Sequence, residues 1–234
     1  QQAVRHLNLP AQRVLDIGCG TGRLLELISQ VSSDAVLSGL DLAQNMLDRA
    51  AERLPATVRL TQGDAEQLPF AAESFSLVLS SSTFQWLGCL DRCFGEVHRV
   101  LEPDGRFLFA LFGGETLFEL RESWQQALVS CGRELPAVED GTHQFYGEDQ
   151  VLHALVQAGF KDCAVWTERE VVWYPDVPHL LQAIKKIGAG TARPPAGGGL
   201  GWRKVVHAMA DLYRDRFAVE SGVPVSYDVI YAAG

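Results

Sequence analysis

Short β-rich apolar runs and helically spaced segments take turns along the first half of the chain. RVLDIG (13–18), AVLSGLDL (35–42), TVRLTQGD (57–64), FSLVLSSS (75–82) and GRFLFALFG (105–113) have the length and composition of strands. Between them, GRLLELISQV (22–31), AQNMLDRAAERL (43–54) and LDRCFGEVHRVL (90–101) carry helical spacing, with Pro103 and Gly105 marking the end of the last. This alternation predicts an α/β fold: a mostly parallel sheet with helices on both faces, its topology largely fixed by right-handed crossovers.

The second half is less regular. It predicts helices over 115–130, 148–160, 177–188 and 202–221, and strands over 163–174 and 223–234. The Gly/Pro/acid stretch running to about residue 147 reads as a loop, and TARPPAGGGLG (191–201) as a mobile one. No internal repeat is present. The pattern predicts one domain over 1–234, with a core of about 10–112, 148–174 and 202–234. Insertions of about 115–147 and 176–201 are expected to pack as a helical lid.

Composition narrows the function. A 234-residue chain with 47% hydrophobic residues can bury a sizeable core. No run of about 18 apolar residues appears, so no membrane span is expected. The start, QQAVRHLNLPAQ, lacks the basic stretch and apolar block of a signal peptide. The chain opens without a Met and close to its first motif, so residues upstream are expected to be missing. Five cysteines without a CxxC pair argue against a disulfide framework and for a reducing, cytoplasmic setting. Cys89 and Cys93 lie one helical turn apart but have no second pair to complete a metal site, so none is expected. A net charge of −9 argues against general nucleic-acid binding.

The chemistry-bearing stretch is LDIGCGTG, where the first strand gives way to the first helix. Gly18, Gly20 and Gly22 allow a ligand to approach the backbone, and by themselves would equally suit a dinucleotide. Three details tilt the choice. The GxGxG spacing lacks the third glycine a pyrophosphate loop prefers. Asp16 before the loop would repel a pyrophosphate and attract an ammonium. Asp41, at the end of the second strand, is placed to chelate ribose hydroxyls. Asp64, in QGDAEQLPF, is placed to accept from an adenine amino group. Together these describe S-adenosylmethionine, which has an ammonium, a ribose and an adenine but no phosphate. Asp16, Asp41, Asp64 and Ser80 then line the carboxyl edge of the sheet, with Cys19, Leu42, Met46 and Ala65 completing the expected cofactor site.

In this order the features resemble the class I, Rossmann-like, seven-stranded S-adenosylmethionine-dependent methyltransferases over roughly residues 10 to 112. Nearly end to end, the chain also resembles the malonyl-acyl-carrier-protein O-methyltransferases of biotin synthesis. The likeness lies in FQWLGCLDRCFGEVHRVLEPDG (84–105), GGETLFELRESW (113–124), AIKKIGA (183–189) and GVPVSYDVIYA (222–232). That resemblance implies methyl transfer to the free carboxylate of a malonyl thioester. A carboxylate with a pKa near 4 is already nucleophilic at pH 7, so no general base and no catalytic residue is assigned. His98, His153 and His207 fit helix faces and read as structural; His143, in GTHQFYG, stays open.

Gln85 and Trp86 follow the fourth strand, where such an enzyme lines its acceptor pocket, and Lys185 is the expected substrate-side cation. Between His179 and Phe217 there are seven Lys/Arg against two acids, on an otherwise acidic chain. Acyl carrier protein is small and strongly acidic, so Lys186, Arg203 and Lys204 are expected to dock it. The chain is expected to act as a monomer. Two alternatives remain: the complex I assembly type of arginine hydroxylase, which shares GG(E/D)TL(F/Y)ELR, and a non-catalytic methyltransferase-like binding module.

Overall fold

The computed structural model describes residues 13–32, 34–133, 145–186 and 200–234. Among these, the strands are β1 (Arg13–Ile17), β2 (Val36–Asp41), β3 (Arg59–Gln62), β4 (Phe75–Ser81), β5 (Leu101–Phe112), β6 (Ala164–Tyr174) and β7 (Val223–Ala233). The helices are α1 (Arg23–Val31), α2 (Gln44–Arg53), α3 (Leu90–Val100), α4 (Phe118–Ser130), α5 (Glu148–Gln157), α6 (Val177–Lys186) and α7 (Leu200–Phe217). A 3-10 turn, Phe84–Trp86, follows β4.

The strands form one sheet in the order β3-β2-β1-β4-β5-β7-β6. β1 pairs in parallel with β2 and β4, β2 with β3, and β4 with β5. β7 runs antiparallel to β5: Phe107 and Gly234 exchange hydrogen bonds at 2.9 Å, and Gly113, just past β5, donates to Asp228 at 2.8 Å. The expected Rossmann-like, mostly parallel seven-stranded fold is therefore the fold observed. Strand order reverses between β1 and β4, the switch point at which open α/β sheets leave a crevice beyond the strands' carboxyl ends.

The contact pattern divides the chain into two compact units. The first comprises Gln1–Phe112, Tyr146–Glu168 and Ile230–Gly234; the second comprises Gly113–Phe145 and Arg169–Val229. The second unit thus takes in α7 and most of β7, which the sequence pattern groups with the core.

Period-two alternation in the central strands feeds two separate cores in the first unit. Val14 of β1 and Leu77 and Leu79 of β4 join Leu25, Ile28, Leu47 and Ala50 of α1 and α2. Leu15, Ile17 and Val78 face the other way and join Phe94, Val97 and Val100 of α3 with Val151 and Leu155 of α5. Helices therefore cover both faces, as a buried parallel sheet requires. Phe84, on the 3-10 turn, is fully buried and meets Phe94, Phe107 and Phe109 edge-on at 5.1–5.8 Å. Aromatic pairs of this kind add about 0.5–1.5 kcal/mol beyond burial, so the turn after β4 is firmly anchored.

In the second unit, Val177, Leu180 and Ile184 of α6 bury one helical face in a core with Val205, Met209 and Tyr213 of α7. Thr116 and Asp228 exchange bonds: Thr116 Oγ1 donates to the Asp228 carbonyl (3.0 Å), and the Asp228 N–H donates back to Oγ1 (3.1 Å). Leu117 takes a left-handed φ of 57° before α4. That pinned turn is why α4 starts at Phe118 rather than at 115.

Other boundaries also differ from expectation. The helix predicted over 90–101 ends at Val100, and β5, predicted to begin at Gly105, begins at once at Leu101, because its first residues already pair with β4 at Phe75 across a register shift. β3 is confined to four residues, which leaves Asp64 beyond its end. The 191–199 part of the predicted mobile loop and His143 lie outside the described residues.

Candidate functional site

The crevice is built from the loop after β1. Gly18 and Cys19 both donate their N–H groups to the Leu40 carbonyl, at 2.7 and 2.9 Å, which ties the loop to the end of β2. Gly18 adopts φ 69°, and a Cβ there would stand 2.1 Å from Thr83 Oγ1, so both conformation and space demand glycine. Gly20 adopts φ 52°, and among the described residues nothing stands within 4 Å of where a Cβ would be. Its backbone therefore faces open space that a ligand can enter.

Asp41 clamps this loop. Its Oδ2 accepts the Gly20 N–H at 2.8 Å and its Oδ1 accepts the Ala43 N–H at 2.9 Å. Each oxygen keeps a further lone pair for a hydroxyl donor. Leu42, beside it, is 70% exposed, and its carbonyl accepts from Gln62 Nε2 at 3.1 Å. Met46 is half-buried one turn into α2.

Asp16 has a different environment. It is 2% exposed, and its carboxyl has no hydrogen-bond partner among the described residues. Burial, reinforced by the nearby Asp41 charge, pushes its pKa up to about 8. An ammonium beside it would draw the group back toward its ionised form. Burial, followed by the Asp16 and Asp41 charges, likewise pushes the Cys19 thiol up to about 12.

Farther along the edge, Asp64 is exposed and its Oδ1 accepts the Glu66 N–H at 2.9 Å. Ala65 is buried beside it. Ser80 is buried, and its hydroxyl donates to the Ile17 carbonyl at 2.8 Å, so its proton already serves to join β4 to β1. Thr83 was not singled out in the sequence, yet its Oγ1 donates to the Gly18 carbonyl at 3.4 Å and so joins the loop after β4 to the glycine loop. Nothing in its spacing signals that contact. Gln85 is buried, with its Nε2 donating to the Ser82 carbonyl at 2.8 Å, whereas Trp86 is half exposed. Tyr146 donates its hydroxyl to the Leu87 carbonyl at 3.0 Å and pins the far end of the same turn.

Asp16, Gly18, Cys19, Gly20 and Asp41 are thus brought together around the ends of β1 and β2. Asp64 follows β3, and Ser80 and Gln85 lie on or just after β4. The predicted basic residues belong to the second unit. Lys185 on α6 and Arg203 and Lys204 on α7 are all exposed, and the side chain of Lys186 lies outside the described residues. Of the histidines, His98 packs edge-on against Phe160 at 5.2 Å, while His153 and His207 are exposed on α5 and α7. Cys93 is buried in the core and Cys89 is exposed. No cluster of three or more His, Cys, Asp or Glu suited to a metal occurs among the described residues.

Comparisons with known proteins identify the family. A methyltransferase domain model matches residues 15–109. The chain is 44% identical over 224 residues to the malonyl-[acyl-carrier protein] O-methyltransferase of Geobacter sulfurreducens, covering 95% of this chain and 83% of that one. It is 33% identical to the protein of the same name from Brevibacillus brevis, with 93% and 79% covered. It is 36% identical to the biotin biosynthesis bifunctional protein BioHC of Saccharophagus degradans, of which it spans 39%. Among solved structures, the YcgJ protein of Bacillus subtilis superposes with a TM-score of 0.65 at 22% identity, covering 100% of this chain and 95% of that one. Phosphoethanolamine N-methyltransferase 2 of Haemonchus contortus, in complex with S-adenosyl-L-methionine, gives 0.59 at 22%, with 98% and 50% covered. These two share the fold.

Proposed function

Since the chain belongs to the malonyl-[acyl-carrier protein] O-methyltransferase family, we propose that it methylates the free carboxylate of a malonyl group carried as a thioester on acyl carrier protein, a step of biotin synthesis. The observation that carries this reading is the constellation at the ends of β1 and β2, in a chain related to that enzyme over 95% of its length. S-adenosylmethionine, when bound, supplies an activated methyl group on a sulfonium. The residues present fit it: the open backbone at Gly20, the unpartnered acid Asp16, and Asp41 with lone pairs to spare.

The chain's own contribution is to bind, orient and keep out water. Asp16 answers the α-ammonium. Asp41 accepts from the ribose and holds the glycine loop in shape, and Asp64 meets the adenine beside Ala65. Leu42 and Met46 supply apolar contact, and Cys19 and Ser80 complete the wall. No side chain removes a proton, because the malonyl carboxylate is ionised at pH 7. With the cofactor held by these residues, a carboxylate oxygen would be the methyl acceptor and the sulfonium the donor, so a negative and a positive charge would be lost together. That loss of charge is favoured in a dry site, where alignment and desolvation do most of the work.

In this reading Gln85, Trp86 and Lys185 are substrate residues, and Lys186, Arg203 and Lys204 receive the acidic carrier. The protein acts as a cytoplasmic monomer. No described helix is long and apolar enough to cross a membrane. The test is incubation with methyl-labelled cofactor and either malonyl-carrier or malonyl-coenzyme A, with the product mass measured. A methyl ester on the carrier is the expected result. An unmodified malonyl group, with the labelled cofactor bound but unconsumed, would point to the hydroxylase type instead. Absence of cofactor binding by calorimetry would reduce the chain to a methyltransferase-like module.

A further inference from the structure

Besides the Asp16 carboxyl, two fully enclosed side-chain oxygens lack a hydrogen-bond partner among the described residues, Glu122 Oε2 and Gln85 Oε1. The first lies 2.9 Å from Arg216 Nη1, so a charge answers it. Gln85 Oε1 is answered by nothing, although the residue is only 4% exposed. Its orientation is determined, because Nε2 donates to the Ser82 carbonyl at 2.8 Å and a reversed amide would set two oxygens against each other.

The surrounding loop is rigid and strained. Ser82 adopts φ 56°, a left-handed conformation that non-glycine residues seldom hold, while its N–H donates to the Ala110 carbonyl at 2.8 Å. Phe84 is locked in the aromatic core, and Thr83 touches the glycine loop. Strain and an unmet acceptor in a loop fixed at both ends are features that gather at ligand sites. Oε1 can only accept, so it cannot hold the malonyl carboxylate. Its complement is an N–H donor.

Resting on the function proposed above, we infer that Gln85 accepts a hydrogen bond at Oε1 from an N–H group of a bound ligand. Two sources offer one: the α-ammonium of the cofactor and an amide of the carrier's thioester arm. Oε1 is enclosed in the present conformation, so the side chain must turn to meet the donor, exchanging the Nε2 bond to the Ser82 carbonyl for the new bond at Oε1.

The test is Gln85→Met, which keeps length and removes the unmet acceptor. The variant loses the unmet acceptor and also the Nε2 bond to the Ser82 carbonyl, so its melting temperature should change little. Either the Kd for S-adenosylhomocysteine by calorimetry or the KM for malonyl thioester should rise about tenfold, equivalent to about 1.4 kcal/mol. A change in Kd assigns the ammonium; a change in KM alone assigns the amide. Constants that both stay at wild-type values overturn the inference, whatever the melting temperature does. If the variant does not fold, the wild-type Gln85 side-chain amide resonances serve instead. They should shift when one of the two ligands is added, and no shift with either overturns the inference. Wild-type protein that fails to bind S-adenosylhomocysteine removes the proposed function, and this inference with it. Wild-type binding with both the Kd and the KM matched by the variant removes the inference alone.

Discussion

Two acids in this protein are buried to the same degree, and their surroundings differ entirely. Asp16 in the first unit and Glu119 in the second are each 2% exposed. Glu119 accepts from both Ser226 groups, the hydroxyl at 2.5 Å and the backbone N–H at 3.2 Å, and so fastens α4 to β7. Asp16 accepts from nothing described. A buried carboxyl with its bonds made is part of the scaffold, while one held without bonds at the open edge of a sheet keeps its full accepting capacity. Arg169 and Asp228 repeat the first pattern with a two-pronged ion pair at 2.6 and 3.0 Å.

Breaking each acid should therefore give opposite outcomes. Asp16→Asn is expected to weaken S-adenosylmethionine binding about a hundredfold, near 3 kcal/mol, by calorimetry. Its melting temperature should equal or exceed that of the wild type. Glu119→Ala should leave that Kd unchanged and lower the unfolding free energy by about 2–3 kcal/mol in urea, because two Ser226 donors lose their acceptor. If Asp16→Asn unfolds the protein and Glu119→Ala abolishes binding, the distinction collapses.

pH sharpens the same contrast. The folded pKa of Asp16, about 8, lies above its ordinary value of 3.8, so the stability tied to its protonated form is fully present below about pH 4. That stability is lost as pH rises through 8. Between pH 5 and 7 the wild type should lose on the order of 2 kcal/mol of stability relative to Asp16→Asn. Cofactor binding near pH 7 should also release a proton, seen as a binding enthalpy that varies with the buffer. A smaller effect is expected in the second unit. Reversing Arg203 and Lys204 to Glu should raise the KM for malonyl-carrier about fivefold, less at high salt, and spare both malonyl-coenzyme A and the cofactor. An unchanged KM for the carrier would remove these residues from docking.

The glycine loop and the acids at the ends of β1 and β2 were legible because their signals are local. Glycines 18, 20 and 22 sit in one turn, and Asp16 and Asp41 close two strands that the apolar pattern already delimits. Other features lie beyond such a reading. Glu119 and Ser226 are 107 residues apart, and no periodicity links them. The left-handed Ser82 follows a strand whose sequence favours extension. The unmet oxygen of Gln85 depends on where Ser82 places its carbonyl. The early start of β5 escaped because Pro103 and Gly105 read as a break, whereas pairing with β4 begins before them. Local composition reveals a glycine turn at a strand end, while long-range contacts decide which buried groups are satisfied.

The thiol of Cys19 carries a practical consequence. Alkylating reagents attack thiolates, and a thiol held near pKa 12 offers almost none at pH 8. Burial also raises the Cys93 and Cys163 thiols. Cys89 is exposed, at the foot of the turn that carries Gln85. A fluorophore added under mild conditions should settle there first, leaving the glycine loop untouched and reporting on the turn beside it.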